Sequence, residues 1–582
     1  MFAVAAAVSG PVAADDFRGD GPDFGHHDND GNNGHHDNDG HDNGGHHDND
    51  GHHGSQQNEA RTATPIKHLV VIFNENRSFD HYFATYPKAT NPPGEPVFKA
   101  ARNTPAVNNL AANAYVLLNY NGNFTNTLNG TDAANPFRLD RTQANTQSQN
   151  HGYTAEQKAY DNGKADLFPL NTGKGTSGGA GAFGTKGQVM GYFDGNTVTG
   201  LWNYAQNFAM SDNAYTDSYG PSTPGAINVI SGQTNGVKYT VGTSPSNIIN
   251  DGQGGLTLIG DIDPGYDVCS STTSAAILTG KNIGDLLNAE GLTWGSFMGG
   301  FSLTATNANG TTGCKRTTFG AVVNGSITDY TPHHAWFQYY VSTANPTHAR
   351  PASIAAVGYT KHNGKVDPAN HGYDLQDFYD AVKAGNYPSV SYIKMPAYQD
   401  GHAGNSDPLD EQAGNIELIN FLQKQPDWEN TAVIITYDDS DGFYDHAYAK
   451  PTQASFDTAA DQVNGPGKCG TGTQPRGVNG KPVNGRCGPG TRVPFIVISP
   501  FAKQNYVSHE RISQASVVRF IEDNWLDGRR LGGGSLDAEV GSIKDMFDFG
   551  HGRRNDRLLL DPATGTEVSD NGNGHDDHDH GH

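Results

Sequence analysis

Residues 66–73 read IKHLVVIF, an apolar run that stops abruptly at Asn74, Glu75 and Asn76. A run this short, apolar on successive positions rather than on alternate ones, is a strand buried on both faces, and the fold that buries both faces is a parallel sheet covered by helices. The same design recurs at 431–437, TAVIITY, which leads straight into Asp438 and Asp439. Strand-like runs at 292–298, 389–394 and 493–499 alternate with helical patterns around Leu286 and Leu287, at Leu375, Phe378, Tyr379 and Val382, at 415–424 and at 513–525. This alternation predicts an α/β fold with a mainly parallel central sheet and helices on both faces. Between these elements, 101–200 and 235–280 are rich in Gly, Asn and Thr and too long for plain loops. They are expected to be insertions that wall a site.

The 582 residues carry a formal charge of -24, but the charge is mostly local. Residues 15–54 hold eleven Asp against one Arg, and 565–582 hold five acids without Lys or Arg, which leaves about -9 for the body. No basic run is present to neutralise phosphates, so nucleic acid is excluded as a partner. The His/Asp/Gly-rich stretch at 15–60, built on repeats of GHHDNDG, and the tail at 561–582 cannot bury a core and are expected to be disordered. Their paired histidines could bind transition metals loosely. Residues 1–14 resemble a secretory signal without its basic start, and no later run is long enough to span a membrane. The expected protein is therefore exported, to the periplasm or beyond, with one catalytic domain at 61–560. Four cysteines without a zinc-type pair fit two sequential disulfides, Cys269 with Cys314 and Cys469 with Cys487. Nothing in the sequence sets the oligomeric state.

Chemistry collects at the carboxyl ends of buried strands in open α/β sheets. Adjacent carboxylates there repel unless a cation or proton separates them. Glu75, Asn76, Asp438 and Asp439 together make an all-oxygen set suited to a hard divalent ion of unspecified identity. The segment YGPSTPG at 219–225 reads as a helix start with Ser222 or Thr223 at the cap. Free N–H groups at such a start would suit a phosphate, and a serine beside a divalent metal can act as nucleophile. His151, His333, His334, His402 and His446 are the candidate proton carriers of the body.

Six ordered motifs carry a family resemblance: ENRSFDHYF at 75–83, NHGYTAEQKAYDNGKAD at 150–166, GPSTP at 220–224, HH at 333–334, YDDSDGFYDH at 437–446 and RVPFIVISPFAK at 492–503. The chain resembles the bacterial phosphoesterase family of phospholipases C and secreted acid phosphatases, within the alkaline-phosphatase-like superfamily, over about 65–530. The resemblance implies Glu75, Asn76, Asp438 and Asp439 as metal ligands and Ser222 as nucleophile. It also implies that His151, His333, His334 and His402 line a phosphate pocket. ATYP stands after Phe83 where many members have Gly, and little follows Trp525; the second difference favours the shorter, phosphatase-like or non-haemolytic forms. Three functions are carried forward: an acid phosphatase-like phosphomonoesterase, a phospholipase C acting on phosphatidylcholine-type diesters, and a metal scavenger acting through the His/Asp tails.

Overall fold

The central sheet is laid down by eight strands: β1 (His68–Asn74), β2 (Ala209–Ser211), β3 (Trp294–Met298), β4 (Gly372–Asp374), β5 (Val390–Lys394), β6 (Thr431–Tyr437), β7 (Phe495–Ile498) and β8 (Tyr506–Ser508). In space they run β4-β3-β5-β1-β6-β7-β2-β8. The computed structural model describes residues 61–554 and 557–568; the signal-like start, the repeats of 15–60 and the tail from 569 lie outside them.

β1 sits between β5 and β6, parallel to both. Leu69, Val70, Val71, Ile72 and Phe73 are all fully buried, as an interior parallel strand requires. Each such side chain contributes roughly 1.5–3 kcal/mol on burial. β7 is the one reversed strand, antiparallel to both β6 and β2. The sequence pattern predicted a mainly parallel sheet and left the direction of this strand open. The reversal follows from what precedes it: no helix is present between Tyr437 and Phe495 to make a right-handed crossover, and an antiparallel neighbour needs none.

The helices form two groups. Helix α1 (Ser222–Ser231) packs on α4 (Ala515–Trp525), while α3 (Pro408–Gln423) packs on the helix Thr199–Asn207. Helix α2 (Leu375–Lys383) follows β4, its Asp374 accepting from the Gln376 N–H as N-cap. The disulfides Cys269–Cys314 and Cys469–Cys487 form as expected, with Cα separations of 5.3 and 5.8 Å. Ordered chain continues past the compositional boundary at 560: Val568 donates to Leu559 O, and Gly565 O accepts from Asn203. Among the described residues no helix is long and apolar enough to cross a membrane.

Candidate active site

The site begins with strand register. β1 and β6 pair in parallel with Asn74 opposite Tyr437, so the next residues of each strand, Glu75 with Asn76 and Asp438 with Asp439, leave the sheet side by side. The Asp438 N–H donates to Asn74 O at 3.2 Å and the Asn76 N–H to Asp438 Oδ1 at 2.9 Å. Asn76 turns in the left-handed region, φ 60°, which Asn tolerates better than most residues. Just before α4 the Gln514 amide donates to Asp438 O at 2.6 Å and fixes the second strand end.

Ser222 arrives on a helix. It is the first residue of α1, after Pro221 in extended conformation, and its Oγ lies 3.0 Å from Glu75 Oε2, 3.3 Å from Asp439 Oδ2 and 3.4 Å from Asn76 Oδ1. One hydroxyl proton serves only one of those three acceptors. Asn76 Oδ1 also faces the Glu75 and Asp438 carboxylates, and only a reversed amide would donate to them, at 2.7 Å and 3.1 Å. The buried oxygens of Glu75, Asn76, Asp438, Asp439 and the Ser222 hydroxyl form the kind of hard donor set a divalent ion takes, while the reversed amide would also accept from His402 Nε2 at 3.1 Å. Gly225 makes the approach possible: a Cβ there would stand 2.1 Å from Asp438 O. The expected free N–H cradle is partly used, because the Thr223 N–H donates to Asp261 Oδ1 at 2.9 Å.

Two residues that the sequence reading missed, Lys394 and Asp400, complete the floor. Lys394, the last residue of β5, is buried, with its Nζ 3.0 Å from Glu75 Oε1 and 2.7 Å from Asp400 Oδ2. His334 Nδ1 lies 3.1 Å from the same Oε1. One Glu75 oxygen is thus held by cationic or polar neighbours while the other faces Ser222. A lysine closing an otherwise apolar strand, VSYIK, was the available signal. Burial opposes ionisation of Glu75, yet His334 and Lys394 hold its carboxyl well below the usual range. Burial pushes Asp438 and Asp439 well above it, the neighbouring charges of Asp439 and Glu75 adding to the effect at Asp438. A bound divalent ion reverses that preference.

The histidines divide. His151 presents Nε2 3.4 Å from the Asn76 amide, while its Nδ1 lies 3.0 Å from both Asp441 Oδ1 and Gln149 O. Asp441, also unread in the sequence, is buried in the left-handed region at φ 52° and accepts from the Gln149 N–H and the Ser148 hydroxyl. His402 stands edge-on to His151 with ring centroids 6.1 Å apart. His333 lies further out, about one-third exposed, 3.8 Å from Asp263 and edge-on to His334. His446 is not in the cluster: it joins Asp80 at 2.6 Å, in a buried network where Arg492 also pairs with Asp80 and Asp445. Asp445 and His446 therefore brace the segment after Glu75 and Asn76. Glu156, from the NHGYTAEQ motif, ties two parts of the site together by accepting from the Ser440 hydroxyl and the Gly220 N–H. Both long insertions reach the site, one through His151 and the other through Asp261 and Asp263.

A model of the Phosphoesterase family matches residues 66–526, and the chain belongs to that family. A non-hemolytic phospholipase C of Burkholderia pseudomallei is 25% identical over 499 residues, covering 84% of this chain and 60% of that protein. The hemolytic phospholipase C of Pseudomonas aeruginosa is 23% identical over 523 residues, covering 84% and 57%. The chain thus spans about three fifths of the length of these curated relatives. A solved protein in the alkaline phosphatase superfamily from Vibrio parahaemolyticus overlaps 60% of this chain and 65% of its own at 11% identity and a TM-score of 0.26, too slight a likeness to add to the strand order above.

Proposed function

We propose, from its membership of the phosphoesterase family, that the chain hydrolyses phosphate esters with Ser222 as nucleophile, through a phosphoserine intermediate. The observation that carries this is the convergence of Glu75, Asn76 and Asp439 within 3.4 Å of the Ser222 hydroxyl oxygen. A divalent ion held by Glu75, Asn76, Asp438 and Asp439 would, when bound, favour the ionised serine and neutralise a phosphoryl oxygen. Ser222 Oγ attacks phosphorus and the ester oxygen leaves, taking a proton from His151 or His402. The same imidazole then accepts a proton from the water that cleaves the phosphoserine. Asp441 fixes which His151 nitrogen faces the reaction, and His333 and His334 line the outer and inner walls.

Phosphomonoesters are the first reading of the substrate, since His334 beside Glu75, and His151 beside Asn76 with His402 edge-on to it, offer imidazoles suited to a compact, multiply charged phosphoryl group. The second reading, a phospholipase C acting on phosphatidylcholine-type diesters, is favoured by the names of the relatives above. Two disulfides fit an oxidising compartment and hence an exported protein. The His/Asp-rich tails, on which the scavenger reading depends, lie outside the described residues.

The test compares p-nitrophenyl phosphate with p-nitrophenyl phosphorylcholine, with and without chelator, on wild type and Ser222→Ala. Turnover abolished by the chelator and by the substitution is expected. Retained hydrolysis in Ser222→Ala would refute the assignment of the nucleophile.

A further inference from the structure

Residues 103–131 contain no Asp, Glu, Lys, Arg or His, in a chain whose net charge is -24. The segment has two apolar faces. Leu110 is buried, and Leu117 and Leu118 pack inward on the apolar cluster around Tyr160 and Phe168. Val116, Tyr120, Phe124 and Leu128 point outward, with Tyr120 77% exposed and Leu128 65% exposed. Leu170 joins them from the helical turn Phe168–Asn171 and is 44% exposed.

These side chains stand on one knitted platform. The Leu170 N–H donates to Asn129 Oδ1 at 3.2 Å, the Phe168 N–H to Asn123 Oδ1 at 2.8 Å, and the Asn129 amide to Asn123 O at 2.9 Å. The asparagines satisfy the backbone from within, which leaves the apolar side chains as the outer surface. Four exposed apolar side chains at four-residue spacing on one uncharged segment, with Leu170 tied to the same segment, mark a candidate interaction surface.

The platform is continuous with the wall of the active site. Two residues beyond Leu170, Thr172 O accepts from the Asn150 N–H at 2.8 Å, and the Asn150 amide donates to Asn171 O at 3.2 Å. His151 is the next residue. Whatever seats on Leu170 and Phe124 lies beside the loop that carries a candidate proton donor.

We infer that the uncharged platform of Tyr120, Phe124, Leu128 and Leu170 seats on a zwitterionic phospholipid surface and brings the Ser222 site to it. Lipid is favoured over a protein partner because the patch is made of separate aliphatic and aromatic tips on short helical turns. Such tips enter an acyl boundary, and tyrosine suits its polar edge. Zwitterionic lipid is favoured over anionic lipid because the patch has no cation to offer and the chain as a whole is acidic. The inference rests on the second, phospholipid reading of the substrate.

Binding is tested without turnover, by co-sedimentation of the full chain carrying Ser222→Ala with phosphatidylcholine vesicles, and with vesicles containing phosphatidylserine. Binding to phosphatidylcholine is expected, weaker when phosphatidylserine is added, and reduced at least tenfold by Tyr120→Ser with Phe124→Ser and Leu128→Ser. The triple variant in the wild-type background is expected to keep its rate on soluble p-nitrophenyl esters. Equal vesicle binding by the triple variant, or no binding by the parent, overturns the inference. So does a parent that is dimeric by light scattering and made monomeric by the triple substitution, since the patch is then covered by a second copy. Vesicle binding without phospholipid hydrolysis would leave the docking surface standing and remove the phospholipase reading.

Discussion

Gly225→Ala separates catalytic positioning from stability. The added Cβ would stand 2.1 Å from Asp438 O, 2.7 Å from its carbonyl carbon and 2.9 Å from its Cα, all backbone atoms that cannot swing aside. Real Cβ contacts do not fall below 3.0 Å, so α1 must withdraw by at least 3.0 − 2.1 = 0.9 Å. Ser222 lies three residues earlier on the same helix, and its 3.0 Å contact with Glu75 Oε2 lengthens toward about 4 Å if the helix moves as a body. A displacement of about 1 Å at a reacting atom costs about 100-fold in rate. The effect on stability is smaller, because overpacking costs about 1–3 kcal/mol while replacing a helical glycine by alanine returns up to about 1 kcal/mol. Expected is a kcat/KM on p-nitrophenyl phosphate about 100-fold down in a protein whose Tm falls by only a few degrees. A variant within threefold of wild type would refute the claim that the Gly225 contact sets the position of Ser222.

Four further outcomes are expected. Ser222→Ala should lose at least about 10⁴-fold in kcat and should no longer trap an acid-stable phosphoprotein during turnover; a trapped species in the variant would point to another nucleophile. Lys394→Met leaves Glu75 and Asp400 buried without their shared cation and should cost about 3–5 kcal/mol in thermal unfolding with chelator present, less with saturating divalent metal; an unchanged Tm with chelator would count against it. Burial and the neighbouring Asp537 push Glu522 up to about 9, above its ordinary value, so its share of stability is full below about pH 4.5 and is lost progressively as pH rises through about 9. Glu522→Gln should flatten that alkaline decline, and a parallel decline in the variant would refute the assignment. Replacing Cys469 and Cys487 together by Ser opens an 18-residue loop and should cost about 3 kcal/mol, seen as a lower urea midpoint; it should also loosen the Tyr219 N–H bond to Cys487 O just ahead of Ser222.

Much of the sheet was legible because buried parallel strands leave unbroken apolar runs, and β6 coincides with the run read at 431–437. β2 and β8, three residues each, are too short to show any period. The direction of β7 was not legible because an apolar strand has the same pattern in either sense; the cue lay in the missing helix before it. Glu75, Asn76, Asp438 and Asp439 were readable as polar residues halting apolar runs, whereas their alignment depends on register, which no local pattern records. Lys394 escaped because a charge at a strand's end is ordinary, and Asp400 and Asp441 because charges in loops are. Lys394 and Asp441 take their meaning from partners hundreds of residues away, Glu75 and His151.

The pairing of Asn74 with Tyr437 also fixes when the cradle can exist. Its halves lie 438 − 75 = 363 residues apart along the chain, on strands that touch only once most of the domain has been made. A nascent or truncated chain that ends before β6 holds Glu75, Asn76 and Ser222 but lacks both aspartates, so it has no complete place for a cation. Metal uptake at the proposed cradle would therefore report completed folding, and an unfinished chain would lack the proposed site.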